Sequence, residues 1–196
     1  SPYRSVSDLI AGAKANPGKL NYGSSGSGGS PHMTMEMFKL RSGTDITHVP
    51  FRGAGPMLVE VVAGRLESGC DNMPSCIGHI RDGRLRALAV TSNVRAAALP
   101  DVPTLAEAGI RDFEATAWFG VQAPSRTPRP IIERLGAEID VITRDPAYIA
   151  RIAELGGAPP ALTSAGGTSP ESFDAFIRSE ITKWAEVVKV SGATVD

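Results

Sequence analysis

The 196-residue sequence is short of several things, and each shortage removes a class of function. Aromatic residues make up only 6%, the net charge is −1, and no block of Lys and Arg stands out. A nucleic-acid binder needs a basic footprint or a base-stacking surface, so that class is excluded. No uninterrupted apolar run approaches the roughly 20 residues of a membrane-spanning helix. Cys70 and Cys76 are the only two cysteines and form neither a disulfide framework nor a zinc pattern. They read as small, semi-buried residues, with a local disulfide only if their geometry allows one. The three histidines, His32, His48 and His79, show no metal or triad spacing. The opening "SPYRSVSDLI" carries no basic-then-apolar leader, so it reads as the interior of a longer protein.

What the chain does have is 21 glycines and 15 prolines, placed as punctuation. Ser5-Val6-Ser7-Asp8 fits a capping box, and the helix it opens stops at Asn16-Pro17-Gly18. Lys19 to Tyr22 predicts a short strand, and a loop of Gly and Ser follows. Ser30-Pro31 reads as N-cap and first helical residue, with Met33, Met37 and Leu40 at helical spacing and Gly43 at the end. The cycle repeats with a strand at Ile46–Phe51, a turn at 52–56 and a helix over Met57–Ala63. It repeats again with a strand at Glu67–Cys70, a cap at Asp71-Asn72 and a helix ending at Gly83. "LRALAVT", Leu85 to Thr91, predicts a buried central strand. This alternation implies a parallel sheet with crossover helices, whose strand-to-helix turns share one edge. Ligands bind at that edge. The Gly/Ser loop, 52–56, Asp71-Asn72 and Thr91-Ser92 are therefore expected to converge.

Beyond Ser92 the pattern changes. "LPDVPTLAEAG" predicts one short helix, and Phe113–Gln122 a longer strand. Three helices follow, starting near Pro130, at Asp145-Pro146 and at Ser169-Pro170. A domain boundary is expected near residue 122, giving an α/β part over 1–122 and a helical part over 123–196.

The loop "NYGSSGSGGSPHMTMEMF" fails every standard pattern. A P-loop needs a lysine at its end, and none lies between Tyr22 and Lys39. Gly26-Ser27-Gly28 is followed three residues later by Pro31, which breaks the dinucleotide fingerprint, and no register gives Gly-x-Ser-x-Gly. Two readings stay open. The backbone N–H groups of Ser24, Ser25, Gly26, Ser27, Gly28 and Gly29, with the serine hydroxyls and the helix start behind them, suit a carboxylate held by neutral donors. Alternatively the segment is a tight turn with no ligand. Asp71 is either a helix cap or an acceptor for a ligand hydroxyl, ammonium or water. Phe51 is core or pocket floor. His32 is a packing residue or a ligand contact, and Arg52 a solvated cation or an anion attractor.

The stretches "KLNYGSSGSGGSPHM", "THVPFRGAGPMLVEVVAGRLESGCDNMPS", "HIRDGRLRALAVTS", "ALPDVPTLAEAG", "ATAWFGVQAPSRTP" and "KWAEVVKVSGATVD" occur in family order. Together they resemble the Bug (TctC-like) extracytoplasmic solute receptors of tripartite tricarboxylate transporters. The resemblance implies a type II-like periplasmic-binding-protein fold, two α/β lobes closing over a small carboxylate. The ligand would be a di- or tricarboxylate, an amino acid or an aromatic acid. The family's second-lobe carboxylate loop falls on Tyr22 to His32, and its other pocket positions on Phe51, Gly53, Ala54, Gly55 and Asp71. It also implies a crossover strand at Trp118, C-terminal helices that pack on the first lobe, a periplasmic location and membrane transporter subunits as partners. No metal, cofactor or catalytic residue is expected.

The resemblance further implies that the chain starts at the beginning of the second lobe, with roughly the family's first third absent from it. The helices from 128 onward are then expected to self-associate, as a homodimer or a swapped arrangement. "TSAGGTSPES" is longer than the usual turn, and Cys70 and Cys76 are atypical. The sequence thus gives a carboxylate receptor or a fragment of one, with an affinity-free interaction module as the alternative. A hydrolase using Ser25 or Ser27 is the weakest reading.

Overall fold

The computed structural model describes residues 1–194, so the last two residues of the "KWAEVVKVSGATVD" stretch lie outside the described residues. Ser5 caps α1 (Val6–Ala15) by accepting from the Asp8 N–H at 3.1 Å, while the Asp8 carboxylate accepts from the Ser5 N–H at 3.0 Å. This reciprocal pair is the predicted capping box, a feature that contributes about 1 kcal/mol.

Three parallel strands follow, each leading into a helix. β1 (Asn21–Ser24) leads into α2 (Ser30–Ser42), β2 (Thr47–Pro50) into α3 (Ala54–Val62), and β3 (Ser68–Gly69) into α4 (Met73–Arg81). The sheet order is β2-β1-β3, so β1 is central, with Tyr22 opposite His48 and Gly23 opposite Gly69. The core forms around this strand. Tyr22, Ile46 and Met57 are almost fully buried, and Met57, Leu58 and Cys76 gather Phe51, Ala54, Val61, Ile80 and Leu85 around them. Gly23 lets α3 come close: a Cβ there would lie 2.7 Å from Met57 Cγ and 2.8 Å from Leu66 Cδ1.

α2 is buried continuously from Pro31 to Phe38, which includes Met33 and Met37 but also His32, Thr34 and Glu36. Leu40, expected in the apolar stripe, is exposed. The N-cap of α2 is Gly29, with Ser30 as the first helical residue, one position earlier than the sequence predicts. Gly29 adopts the extended backbone a cap needs, so the serine hydroxyl is not used there.

Two predicted strands and one helix do not form. Leu85–Thr91 is mostly half-buried, and among the described residues its only pairing is a single bridge between Val90 and Thr104. Phe113–Gln122 carries no regular element and joins no ladder among the described residues, although Ala115 N–H donates to the Thr91 carbonyl at 3.0 Å. Apolar, β-branched residues favour extended backbone, but a strand also needs a neighbour to complete its hydrogen bonds. The expected short helix in "LPDVPTLAEAG" is a turn, in which Thr104 N–H donates to Glu107 and Glu107 N–H donates to Thr104 Oγ1.

The chain divides into two compact units, residues 1–117 with those from 187 onward, and residues 118–186. The second unit holds α5 (Arg129–Arg144), α6 (Pro146–Glu154) and most of α7 (Pro170–Ser191). Asp145 caps α6, accepting from the N–H groups of Ala147 and Tyr148. Ser169 receives the Ser172 N–H at the start of α7. Trp118 meets Phe173 and Phe176 edge-on. Ile131, Leu135, Val141 and Ile142 of α5 are exposed.

Candidate functional site

Parallel pairing puts the starts of α2, α3 and α4 at one edge of the sheet, and backbone hydrogen bonds tie them together. Phe51 N–H donates to the Ser24 carbonyl at 3.0 Å, and Gly53 N–H to the Ser25 carbonyl at 3.1 Å. On the other side of β1, Cys70 N–H donates to the Gly23 carbonyl at 3.0 Å, which brings Asp71 alongside. The Gly/Ser loop, the 52–55 turn and Asp71 therefore converge as expected. Thr91 is tied to Ala115, its hydroxyl donating to the Ala115 carbonyl at 2.7 Å.

The caps separate these three helices from their neighbour. α1 carries a full capping box, whereas the N-caps of α2, α3 and α4, Gly29, Gly53 and Asn72, make no side-chain cap hydrogen bond. Each helix start leaves N–H groups unsatisfied and carries a partial positive charge. Three such starts at one edge present neutral donors of the kind that suit an anion.

Within the loop, some donors are already committed. The fully buried Ser24 points inward: its Oγ lies 2.7 Å from His48 Nε2 and also accepts the Gly26 N–H at 3.3 Å. Gly28 N–H donates to His32 Nδ1 at 2.9 Å, and Gly28 has φ 74°, a conformation glycine adopts without strain. Among the described residues, the N–H groups of Ser25, Ser27 and Gly29 and the hydroxyls of Ser25 and Ser27 engage no acceptor. Gly28 and Gly29 are exposed, and Ser25, Gly26 and Ser27 are half-buried.

Asp71 is half-buried just before the Asn72 cap. Its Oδ2 accepts the Ser75 hydroxyl at 2.6 Å, while the buried Oδ1 has no partner among the described residues. Burial pushes this carboxyl above its ordinary pKa, against the opposing Ser75 hydrogen bond. Phe51 is half-buried and packs with Ala54 on the Met57–Leu58–Cys76 cluster. Arg52 and Gly55 are exposed, and Gly53 is half-buried. Cys70 and Cys76 are free thiols, raised by burial to about 12 and about 11, well outside the reactive range.

Beneath the loop lies a polar network that the sequence did not reveal. His32 stacks on His48 with ring centroids 3.9 Å apart, and Tyr22 stacks on the other face of the pair at 4.9 Å from His48. Tyr22 Oη donates to Glu36 Oε1 at 2.8 Å, and Lys39 Nζ donates to both Glu36 oxygens at 2.9 and 3.0 Å. His32, Glu36 and Lys39 stand four and three residues apart, one helical face in an otherwise Met-rich segment. That spacing was the available signal. The partners His48 and Tyr22 arrive only through strand register.

The sequence matches the family described as "Tripartite tricarboxylate transporter family receptor" over residues 1–192. The chain belongs to this family, TctC. Protein BugT of Bordetella pertussis is 38% identical over 189 residues, covering 96% of this chain and 56% of BugT. The R. palustris protein Rpa4515, solved with adipate, superposes with a TM-score of 0.90 at 35% identity, over 100% of this chain and 63% of that one. MatC from Rhodopseudomonas palustris, solved with bound malate, gives 0.84 at 28% identity, over 95% and 63%. This TctC-family chain thus has the α/β fold of periplasmic binding proteins and spans a little over half the length of relatives such as BugT. Among the described residues, no helix is long and apolar enough to cross a membrane, and no group of His, Cys, Asp or Glu is placed to hold a metal ion.

Proposed function

We propose that this chain is the carboxylate-holding part of a periplasmic solute receptor that presents its ligand to a tripartite tricarboxylate transporter. Residues 1–122 carry the ligand edge and residues 123–196 complete the other lobe. The observation that carries this reading is the meeting of three helix N-termini without side-chain caps at one sheet edge. The free N–H groups of Ser25, Ser27 and Gly29 and the two serine hydroxyls bind one carboxylate. Gly53, Ala54 and Gly55 line the next wall, and Asp71 accepts a ligand hydroxyl, ammonium or bridging water. Ser24 and His32 act from below by shaping the loop, and Phe51 forms its apolar support. The likeness to proteins solved with adipate and with malate supports a dicarboxylate. The exposed apolar residues of α5 support a homodimer of the chain as it stands.

Thermal melts with adipate, malate, citrate and aspartate test this. A ligand at one hundred times its Kd adds about 2.7 kcal/mol to stability. A rise with at least one acid, abolished in Ser27→Trp, is the expected outcome. No shift with any acid would show a module without ligand affinity of its own.

A further inference from the structure

We infer that His32 is a positioning residue for the Gly/Ser loop: its neutral ring holds Gly28 from beneath, and a proton on that ring releases the loop. His32 is the third residue of α2, the position from which side chains reach back over a helix start. Here the reach ends on the residue before the cap, through Gly28 N–H to Nδ1 at 2.9 Å. A nitrogen that accepts an N–H carries no proton, so His32 is neutral with its hydrogen on Nε2. That hydrogen faces Glu36 Oε1, 3.8 Å from Nε2. Protonation at Nδ1 replaces the acceptor with a donor and sets two N–H groups against each other.

The surroundings set where this happens. From α2 the ring faces Glu36 and Lys39, whose opposite charges are paired. From β2 it faces His48, stacked at 3.9 Å, and beyond that lie Ser24 and Tyr22 of β1. The stacked rings cannot both carry charge cheaply, so the two histidines titrate as a coupled pair. His32 itself is 5% exposed, and its burial lowers its pKa while Glu36 opposes that shift. The loop is therefore latched at neutral pH and freed in acid, below the ordinary histidine range. Given the receptor reading above, the carboxylate donors lose their arrangement over the same pH interval.

The test needs no ligand. Imidazole ¹⁵N spectra of the 196-residue chain should show His32 as the Nε2–H tautomer at neutral pH. Gly28 amide exchange, corrected for its intrinsic pH dependence, should accelerate about tenfold or more as His32 titrates. His32→Asn places an amide oxygen where Nδ1 was and should hold Gly28 protected, with no step over the acid interval in which wild-type His32 titrates. His32→Ala should leave Gly28 unprotected throughout. Gly28 protection that ignores the His32 titration in the wild type, or a step retained in His32→Asn, would overturn the inference. If His32→Ala fails to fold, the contrast between wild type and His32→Asn still decides. Failure of the receptor reading would instead appear as absent melt shifts with adipate or malate, leaving the Gly28 result intact.

Discussion

A carboxylate with one oxygen bonded and the other buried without a partner costs a fold stability, and among the described residues Asp71 is such a group. Its pKa is raised in the native state, so the folded chain binds a proton more readily than the unfolded one. Stability from this group therefore rises as pH falls through the raised value, and the ionised form destabilises at neutral pH. Asp71→Asn should raise the melting temperature at pH 7 by about 2 °C, while weakening any ligand that uses the carboxylate. A lower melting temperature would show that the buried oxygen already has a stabilising partner. His48 runs the other way. Burial and the neighbouring His32 depress it to about 4 from an ordinary value of 6.5. The unfolded chain then takes up the proton first as pH drops. The stability His48 contributes is fully present above about pH 6.5 and is lost on descending toward pH 4. Plots of melting temperature against pH should fall less steeply across this window in His48→Asn than in the wild type, and parallel slopes would refute the role. Neither feature could be read from the sequence alone. Asp71 stood out by its position at a strand end, but its orphan oxygen depends on packing, and His48 acquires meaning only opposite Tyr22 and against His32.

Elements whose caps and stops lie within their own residues were the most legible. α1 announced itself through Ser5 and Asp8, α6 through Asp145-Pro146, and the end of α2 through Gly43, whose φ of 62° terminates the helix. The three sheet strands were found within two residues at each end. "LRALAVT" failed as a strand because composition states a preference for extended backbone and says nothing about which neighbour receives its N–H groups. The uncapped start of α2 is the element where stability and binding oppose each other. Gly29 sits at φ −73° and ψ 166°, an extended conformation any residue adopts, and a Cβ there would meet only ordinary contacts at 3.7 and 3.8 Å. Gly29→Asp should therefore cap α2 with its own carboxylate and add a few tenths of a kcal/mol to stability. The same carboxylate would occupy the donors proposed for the ligand. The expected result is a slightly higher denaturation midpoint together with lost melt shifts for adipate and malate. Retained shifts would place the anion elsewhere.

At the scale of the whole chain, the unsettled account is apolar surface. Ile131, Leu135, Val141 and Ile142 of α5 are all about half exposed or more, at 49%, 46%, 66% and 52%. The shallow concavities on α5 and α6 are lined by these residues with Arg134, Glu138, Arg144 and Tyr148, and lack the converging neutral donors found at the sheet edge. An amphipathic helix with an open apolar stripe is stable in water only when something covers it. The chain spans 63% of the length of relatives such as Rpa4515 and MatC, so the 196 residues taken alone have fewer partners available for such a face. A second copy is the partner always present, and closed two-fold pairing is the commonest way for identical faces to cover each other. Light scattering on the chain should accordingly give a mass near twice 20.5 kDa at micromolar concentration. Ile131→Glu with Leu135→Glu should shift it toward the monomer without changing melt shifts from adipate or malate, since the proposed ligand edge lies within residues 24–71. A wild-type chain that remains monomeric while keeping its helical content would show that α5 tolerates its open face. Dissociation accompanied by lost ligand shifts would instead make dimerisation a condition for binding.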